Sequence, residues 1–405
     1  MKSADPCVLT INGGSSSIKF ASFESGSSPV RALAGNIEGI GLPTGRFTVS
    51  GATEAGGFSR SIAVPDYATA IEQLMNLIQA RIERRALLAV GHRVVHGGPN
   101  YWEPQPITPV LVAELRRFSA FDPEHLPQEI RLIEEVHRRF SDVKQIACFD
   151  TAFHHDLPRV ARLLPIPRRY EAQGIRRYGF HGLSYEFVMQ ELERLAGGKA
   201  ARARLILAHL GNGASLAAVR DGRSIDTTMA LTPASGLVMS TRSGDVDPGL
   251  VSLLARLEQM TPSQFGHLAN FESGLLGVSE ISSDMRELLA RESDDVRAAE
   301  AVALFCYQTR KWIGAYAAAL GGLDTMVFAG GIGENAPLIR SRICEGLGFL
   351  GVELDEARNA ATAGVISTDA SRVTVRVIHT DEERMIARSV FQVLGRGADT
   401  KEMET

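Results

Sequence analysis

Residues 12–17 read NGGSSS, and the chain continues into Ile18 and Lys19. Apolar segments at residues 8–11 and 18–23 lie on either side and predict two strands joined by a turn. A tight β-hairpin needs only about two turn residues, whereas this turn contains a longer run of small and amide residues. Glycines let a backbone approach a phosphate closely, and N–H groups and hydroxyls donate to its oxygens. The hairpin is therefore predicted to bind phosphate, with Lys19 adding a positive charge.

The same pattern occurs again in the second half of the chain. Residues 205–210 are apolar, residues 211–215 read GNGAS, and an apolar segment resumes at Leu216. His209 lies at the end of the first of these segments, next to the turn. Such internal similarity predicts two related α/β domains, each beginning with a phosphate-binding hairpin. A chain of 405 residues also exceeds what one hydrophobic core usually supports.

Further elements are predicted from hydrophobic periodicity and turn residues. Helices are predicted at residues 67–86, 109–118, 127–139, 185–196, 298–319, 337–347 and 381–395, and strands at residues 87–95, 145–149, 325–329 and 373–378. Residues 330–335 read GGIGEN and are predicted as a loop between a strand and a helix. A glycine-rich loop at such a position is typical of a nucleotide site.

The composition argues against several classes of partner. The net charge is -4 and the pI is about 6.2, which favours neither nucleic acid nor an anionic membrane as a partner. No segment approaches the roughly 20 apolar residues that a membrane-spanning helix needs. The four cysteines lie far apart, three of them in apolar context, and are predicted to be buried, reduced thiols. These features predict a cytoplasmic protein.

Three loops combine arginine or histidine with glycine. GHRVVHGG presents Arg93, RRYGFHG presents His181, and TRSGDVDPG presents Arg242. His92 and His96 have the spacing of a helical zinc site, but their surroundings favour a strand, in which the two side chains do not converge. The arginines at positions 168, 169, 176 and 177 leave two interpretations open: a solvated basic surface, or a positive field that attracts an anionic substrate.

Two carboxylates are suited to an Mg²⁺–phosphate complex. Asp150 follows the strand predicted at residues 145–149, and Glu382 lies in the sequence TDEE at the start of a predicted helix. Mg²⁺ commonly takes one or two protein carboxylates together with water and phosphate oxygens. Either residue could instead be a solvated charge or a helix cap.

The motifs NGGSSSIK, GHRVVHGG, FDTAFH, RRYGFHG, HLGNGAS, TRSGDVDPG and GGIGEN occur in this order along the chain. The set resembles the acetate kinase family of short-chain carboxylate kinases, and the resemblance covers almost the whole sequence. It implies a two-domain α/β fold of the actin/Hsp70/sugar-kinase type, a duplicated ribonuclease H-like fold with an interdomain cleft. The implied domains are residues 1–150 plus 385–405, and residues 151–384, the latter binding the nucleotide.

The resemblance also implies a reaction. It is the reversible, Mg²⁺-dependent phosphorylation of acetate by ATP, through direct in-line transfer, to acetyl phosphate and ADP, usually in a homodimer. A kinase for propionate, butyrate or another small acid stays an alternative, since one methylene changes binding by only about 1–3 kcal/mol. A nucleotide-switch binding protein of the actin or Hsp70 type is an alternative from another class, although such a protein needs no pair of arginines in its cleft.

The resemblance further implies roles for single residues. The residues matching the catalytic ones are Arg93, Asp150, His181 and Arg242, and those matching the carboxylate-binding ones are Arg93, Val95, His125, Phe180 and Pro233. The residues matching the nucleotide- and phosphate-binding ones are Ser17, Lys19, His209, Leu210, Gly211, Asn212, Gly213, Gly331, Ile332, Gly333 and Asn335. Asn12 and Glu382 match the residues associated with the metal.

Three segments depart from the family pattern. Glu124, in DPEHLPQ, replaces a leucine that lies near the acyl group in the family. Tyr185 stands where a histidine is common, and TPASG at residues 232–236 differs from the usual TPLxG. A carboxylate beside an acetate pocket repels the substrate unless it turns away or pairs with an arginine. These differences therefore concern the identity of the acid and leave the reaction type unchanged.

Overall fold

The computed structural model divides the chain into two compact units, each containing one β-sheet. The first unit comprises Met1–Ala152 and Asp381–Thr405, and the second comprises Phe153–Thr380. The structure describes residues 6–14, 16–25, 29–51, 57–82 and 86–395. Ser15 of the first predicted turn and residues 396–405 of the predicted first domain lie outside the described residues.

An eight-stranded sheet organises the first unit. Its strands are β1 (Cys7–Gly13), β2 (Ser17–Glu24), β3 (Val30–Glu38), β4 (Gly45–Gly51), β5 (Phe58–Ile62), β6 (Leu87–Val94), β7 (Gln105–Pro106) and β8 (Lys144–Phe149). They lie in the order β5-β4-β3-β2-β1-β6-β8-β7, with β6 and β8 parallel to β1. The predicted first hairpin is confirmed, because β1 and β2 pair antiparallel with Asn12 opposite Lys19.

The helices of the first unit cover this sheet. They are α1 (Tyr67–Arg81), α2 (Pro109–Phe118), α3 (Leu126–Arg139) and α14 (Glu382–Val393). The bounds of α2 are those predicted, whereas α1 ends at Arg81 and not at residue 86. Ile71, Leu74 and Ile78 recur at helical spacing in α1 and are buried in the core with residues of β1, β2 and β6.

Helix α14 packs closely against β1 and β6. A Cβ atom at Gly91 of β6 would lie 2.6 Å from Cγ2 of both Ile386 and Val390, so glycine is what allows this approach. Asp381 caps the helix by accepting a hydrogen bond from the backbone N–H of Arg384 at 3.0 Å. This packing places Glu382, in the first turn of α14, at the end of β1.

The second unit has a five-stranded sheet with a closely related topology. Its strands are β9 (Leu205–Leu210), β10 (Ala214–Arg220), β11 (Arg223–Thr227), β12 (Thr325–Ala329) and β13 (Thr374–Val377), in the order β11-β10-β9-β12-β13. Three antiparallel strands are followed by two parallel ones, just as in β3-β2-β1-β6-β8 of the first unit. The second predicted hairpin and the predicted internal similarity are both confirmed.

The helices of the second unit surround this sheet. They are α4 (Arg159–Arg162), α5 (Gly182–Ala201), α6 (Gly249–Leu257), α7 (Pro262–Phe271), α8 (Gly274–Ser279), α9 (Met285–Arg291), α10 (Val296–Leu320), α11 (Gly330–Asn335), α12 (Pro337–Cys344) and α13 (Glu356–Ala360). Two predictions are corrected here: residues 330–335 form the short helix α11 instead of a loop, and α12 ends at Cys344 instead of residue 347. Strands β3, β4, β5, β7 and β11 were not predicted.

The four cysteines, Cys7, Cys148, Cys306 and Cys344, are free and buried, as predicted. Burial raises the pKa of Cys7 and Cys306 to about 11 and that of Cys344 to about 12, so these thiols are held in the protonated form. Among the described residues, none of the helices combines the length and the hydropathy that a membrane crossing requires.

Candidate active site

The turn of the first hairpin is closed by its own backbone. The N–H of Gly14 donates to the carbonyl oxygen of Ser17 at 2.8 Å. Lys19 is exposed on β2, and Ser17 is partly exposed at the start of that strand. A Cβ atom at Gly13 would lie 2.5 Å from the hydroxyl oxygen of Tyr67, so this glycine is also required for packing.

Asn12 and Glu382, the two residues matched to a metal site, lie in direct contact. Asn12 Nδ2 donates to Glu382 Oε2 at 2.8 Å, and Asn12 is nearly buried at the end of β1. A carboxylate next to an amide oxygen offers the hard oxygen ligands that Mg²⁺ prefers. No cluster of three or more histidine, cysteine or acidic side chains arranged for a metal occurs among the described residues. The pair thus fits a metal that takes few protein ligands and keeps the rest for water and phosphate.

Arg93 lies at the end of β6 between two acidic side chains. Its Nη2 donates to Asp150 Oδ2 at 2.9 Å, and its Nη1 donates to Glu129 Oε1 at 3.3 Å and to the carbonyl oxygen of Gly13 at 3.4 Å. The Arg93 side chain is 13% exposed and that of Asp150 is 1% exposed. Burial opposes the charged form, but the two carboxylates outweigh it and raise the pKa of Arg93, so the guanidinium stays charged.

Glu129 was missed by the sequence analysis. Its Oε2 accepts a hydrogen bond from the backbone N–H of Val95 at 2.9 Å, while its Oε1 contacts Arg93. Glu129 therefore holds two residues that the sequence assigned to the carboxylate. The sequence contained a signal for this role. Glu129 lies on the buried face of α3, together with the apolar residues Leu126, Ile130 and Ile133. A charged residue on the apolar face of a helix indicates a buried partner.

Replacing Glu129 by glutamine is expected to flatten the pH dependence of stability. Burial raises the pKa of Glu129 from 4.5 to about 8, so the folded state binds this proton more tightly than the unfolded chain does. The stabilisation is present below the unfolded pKa and is lost as the pH rises through the folded one. Between pH 5 and pH 8 the free energy of unfolding of the wild type should fall by about 1–3 kcal/mol more than that of Glu129→Gln.

Urea titrations at both pH values measure this difference. Glu72→Gln, at an exposed position of α1, is the control and should behave as the wild type does. An identical pH dependence in the wild type and in Glu129→Gln would contradict the burial of this carboxyl group.

His125, the residue directly before α3, is oriented by Asp122. Its Nδ1 lies 2.8 Å from Asp122 Oδ1, and its backbone N–H donates to the same oxygen at 3.1 Å. Both residues are buried, whereas Glu124 in the same turn is only partly buried. Because Nδ1–H of the imidazole donates to the carboxylate of Asp122, Nε2 takes no part in this contact.

His181 precedes α5 in a left-handed backbone conformation, with φ of 60°. This conformation costs energy for a residue other than glycine and is concentrated at functional sites. His181 Nδ1 lies 2.8 Å from Ser215 Oγ. The preceding Phe180 is buried, and its carbonyl oxygen accepts from His154 Nε2 at 3.1 Å. His154, in the motif FDTAFH, was not assigned a role from the sequence.

His209, at the end of β9, stacks on His181. The ring centroids are 4.2 Å apart and the rings are 25° from parallel. His209 Nδ1 lies 2.7 Å from Ser184 Oγ, so each imidazole has a serine hydroxyl at its Nδ1. The two histidines that the sequence assigned to the phosphoryl and nucleotide groups are thus brought together.

The turn of the second hairpin lies against both histidines. A Cβ atom at Gly213 would lie 3.0 Å from His181 Nε2 and 3.6 Å from Arg242 Nη1, and one at Gly211 would lie 3.7 Å from the backbone N of Gly331. Asn212, between the two glycines, is exposed, and its carbonyl oxygen accepts from the N–H of residue 240 at 3.1 Å. The structure therefore brings His181, Arg242 and the turn together within the second unit.

Arg242 and Pro233, two further assigned residues, are also neighbours. Arg242 Nη1 donates to the carbonyl oxygen of Pro233 at 3.3 Å. Arg242 is partly exposed, so it keeps polar surface that can meet a ligand.

Helix α11 begins directly after β12 and packs on the end of β9. A Cβ atom at Gly330 would lie 2.8 Å from the carbonyl oxygen of Leu210, so glycine is required there. Glu334 Oε1 accepts from the N–H of Gly330 and from the N–H of Thr380, both at 2.9 Å. Asn335 Nδ2 donates to the carbonyl oxygen of Gly331 at 3.0 Å.

Arg340 holds the other end of α11 and was also missed. It is fully buried in α12, and its Nη1 donates to the carbonyl oxygens of Gly333 and Glu334 at 2.9 Å. Its Nη2 and Nε reach the carbonyl oxygen and Oδ1 of Asn359, each at 2.8 Å. These contacts explain why a glycine-rich segment is helical: side chains satisfy the backbone groups at both of its ends.

The arginine pairs in the loop before α5 have different roles. Arg177 donates to the carbonyl oxygens of residues 161, 227, 228 and 229 and is therefore structural. Arg176 lies over the ring of Tyr178 at 4.8 Å. Arg168 and Arg169 are exposed, which favours the solvated basic surface over a substrate-attracting field for this pair.

The comparisons with known proteins agree with this geometry. The profile described as "Acetokinase family" matches residues 7–388. The chain belongs to the acetokinase family. It is therefore a kinase, and its fold is the actin/sugar-kinase-like α/β fold, as predicted.

Members of the acetokinase family resemble the chain over almost its whole length. Acetate kinase of Rhodopseudomonas palustris is 45% identical over 96% of this chain and 99% of its own, and propionate kinase of Citrobacter rodentium is 40% identical over 95% and 96%. Among solved structures, acetate kinase of Porphyromonas gingivalis has a TM-score of 0.85 at 35% identity, covering 96% of this chain and 100% of its own. A propionate kinase from Francisella tularensis has a TM-score of 0.88 at 33% identity, covering 95% and 98%.

Proposed function

We propose that this protein transfers the γ-phosphoryl group of ATP to acetate, reversibly, and forms acetyl phosphate and ADP. The observation that carries the proposal is the orientation of Arg93, a charged guanidinium fixed between Asp150 and Glu129. Relatives named acetate kinase, at 41–45% identity, support acetate as the acid. A relative named propionate kinase lies at 40%, so propionate is the second candidate.

The chemistry of the acid explains why an arginine is needed. A small carboxylic acid is ionised at neutral pH, so the nucleophile requires little help from a general base. The barrier comes from bringing one anion to another, and fixed positive charge lowers it. In this proposal Arg93 neutralises the carboxylate, Asp150 keeps the guanidinium in place, and the buried residues Val95 and Phe180 favour a short acyl group.

The second unit supplies groups suited to a phosphoryl anion. His181 and Arg242 both lie beside the turn at Gly213, where backbone and side chain can donate together. We assign to these two side chains the stabilisation of the negative charge that spreads over the oxygens of the transferring phosphoryl group. Pro233 contributes to the acid's surroundings through its contact with Arg242.

The remaining assigned residues fit ATP. Glycine-rich turns allow close approach of the phosphates, and the backbone N–H groups are the donors. The residues we assign to ATP are Ser17, Lys19, the segment 209–213, Gly331, Ile332, Gly333 and Asn335.

Asn12 and Glu382 are the residues that would hold Mg²⁺. When bound, the ion supplies positive charge to the phosphate oxygens. Their contact shows that the two side chains already lie within reach of one another.

A hydroxylamine-trapping assay tests the proposal. The protein is incubated with ATP, Mg²⁺ and one acid at a time, from formate to butyrate, and the acyl hydroxamate is quantified. We expect hydroxamate with acetate as the best substrate and propionate as the second. No hydroxamate with any acid would overturn the kinase proposal. A preference for longer or polar acids would overturn acetate alone and would point to Glu124.

We further propose that the protein acts as a homodimer through helices α6 and α7. Neither helix has a buried residue, although α6 is apolar in sequence. Leu257 is 70% exposed, and Val251, Leu253 and Phe271 are exposed as well. An apolar surface that its own unit leaves exposed is typical of a subunit interface.

Replacing Leu257 by aspartate is expected to convert the dimer into a monomer, because a carboxylate would be buried without a partner. Light scattering after gel filtration measures the molar mass at micromolar protein concentration. Leu195→Asp, at a 51% exposed position of α5, is the control and should leave the dimer intact. A monomeric wild type, or a dimeric Leu257→Asp variant, would contradict the proposed interface.

Two further assignments belong to the same proposal. The two units would be the two ribonuclease H-like domains, a view supported by their shared strand order. The place of action would be the cytoplasm, where ATP is available and where reduced thiols such as the four described here persist.

A further inference from the structure

A chain of hydroxyl groups connects Tyr185 to the imidazole of His181. Tyr185 lies one helical turn after His181 in α5 and is buried, and its Oη lies 2.5 Å from Ser215 Oγ. Ser215, fully buried in β10, has its Oγ 2.8 Å from His181 Nδ1. The three side chains therefore form one continuous hydrogen-bonded path inside the second unit.

The acidity of the groups decides the direction of these hydrogen bonds. A phenol is a stronger acid, and so a better donor, than an aliphatic hydroxyl, which makes Tyr185 the donor to Ser215 Oγ. The Ser215 hydroxyl then has its own hydrogen to give, and His181 Nδ1 accepts it. A neutral imidazole that accepts at Nδ1 carries its proton at Nε2.

The protonated nitrogen lies at the candidate phosphoryl position. A Cβ atom at Gly213 would be 3.0 Å from His181 Nε2, so this nitrogen is directed at the turn of the second hairpin. The ring is also held by stacking on His209, with 4.2 Å between the centroids. Stacking fixes the plane of the ring but does not select which nitrogen bears the proton.

We propose that Tyr185 is a positioning residue which, through Ser215, keeps His181 in the Nε2–H tautomer that donates to the transferring phosphoryl group. The functional half of this inference rests on the proposed kinase reaction. The tautomer is a property of the resting protein and can be measured without turnover. Without the Tyr185 hydroxyl, Ser215 can either donate or accept, and both tautomers of His181 become populated.

Long-range ¹H–¹⁵N NMR of protein labelled with [¹⁵N]histidine distinguishes the two tautomers. The signals of His181 are identified by their absence from the His181→Gln variant. We expect the Nε2–H tautomer in the wild type and a mixture in Tyr185→Phe and in Ser215→Ala. Tyr316→Phe is the matched control, since Tyr316 is a buried tyrosine of the same unit whose hydroxyl has no hydrogen-bond partner among the described residues.

Kinetics test the functional half. In Tyr185→Phe we expect kcat to fall roughly five- to twentyfold, because the variant loses one hydrogen bond. The KM for the acid and the KM for ATP should change by less than about twofold. The double variant Tyr185→Phe/Ser215→Ala should be no slower than Ser215→Ala, because both changes interrupt one path. Tyr316→Phe should keep the wild-type kcat.

The outcomes separate the possible failures. An Nδ1–H tautomer in the wild type, or an unchanged Nε2–H tautomer in Tyr185→Phe, would overturn the inference, even if that variant were slower or less stable. The expected spectra with an unchanged kcat would overturn the catalytic part. A wild type that gives the expected spectra but phosphorylates no acid would support the tautomer and overturn the proposed function.

Discussion

Replacing Arg93 by alanine is expected to lower kcat/KM for the acid by about 10²–10³-fold, the usual effect of removing one fixed donor from a developing anion. Arg93 is nearly buried and is the partner of both Asp150 and Glu129. Its loss removes the positive charge that we assign to the substrate carboxylate and leaves the buried Asp150 carboxylate without the Arg93 guanidinium. Steady-state kinetics with varied acid and saturating ATP measure the effect.

The same substitution is expected to reduce stability, because breaking a buried ion pair from one side costs about 3–5 kcal/mol. The double variant Arg93→Ala/Asp150→Asn separates the two effects. It removes the stranded charge of Asp150 and should recover part of the free energy of unfolding, while its kcat/KM should stay at the low value. Recovery of activity together with stability would contradict a direct role for Arg93 in binding the acid.

Replacing Arg242 by alanine is expected to lower kcat by about 10²–10³-fold with little change in stability. Arg242 is partly exposed beside Gly213 and His181, and its contact with the Pro233 carbonyl oxygen at 3.3 Å is long. The substitution therefore removes donors that we assign to the phosphoryl group, and the partly exposed position of Arg242 limits the loss of stability.

Two further variants test whether the effect of Arg242→Ala depends on the guanidinium group and on this position: Arg242→Lys and Arg220→Ala. Lysine keeps the charge but loses the planar fork, so Arg242→Lys should recover only part of kcat. Arg220, exposed at the end of β10, should be replaceable without effect. Near-normal turnover in Arg242→Ala would show that the phosphoryl group is stabilised elsewhere.

Local sequence patterns predicted the elements whose signals are themselves local. The two hairpins, α2 and β12 have the expected bounds or nearly so, because turn residues and apolar runs coincide at their ends. Strand β4 was missed although Phe47 and Val49 alternate with the polar residues Arg46, Thr48 and Ser50. That alternation, typical of half-exposed strands, was the available signal.

Helix α11 could not be predicted in the same way. Its sequence GGIGEN is unfavourable for a helix, because each glycine weakens it by about 1 kcal/mol relative to alanine. Its stability comes from Arg340 and Glu334, whose contacts reach Asn359 and Thr380. Partners separated so far along the chain leave no local pattern.

The candidate site shows the same division. Arg93, His125, His181 and His209 were assigned roles from their loop sequences and from the family resemblance. The residues that contact them in the structure, which are Glu129, Asp122, Ser215 and Ser184 respectively, were not assigned, because each acts through a contact formed only on folding. The sequence therefore indicates the functional side chains more clearly than it indicates the residues that hold them in place.

The central claim is that a carboxylate accepts the phosphoryl group. Its most direct measurement is ³¹P NMR of the wild type with ATP, Mg²⁺ and acetate, with Arg93→Ala as the inactive reference. We predict an acetyl phosphate signal that grows in proportion to ADP and reverses when acetyl phosphate and ADP are supplied instead. Formation of ADP with inorganic phosphate alone, or no turnover under these conditions, would contradict the account.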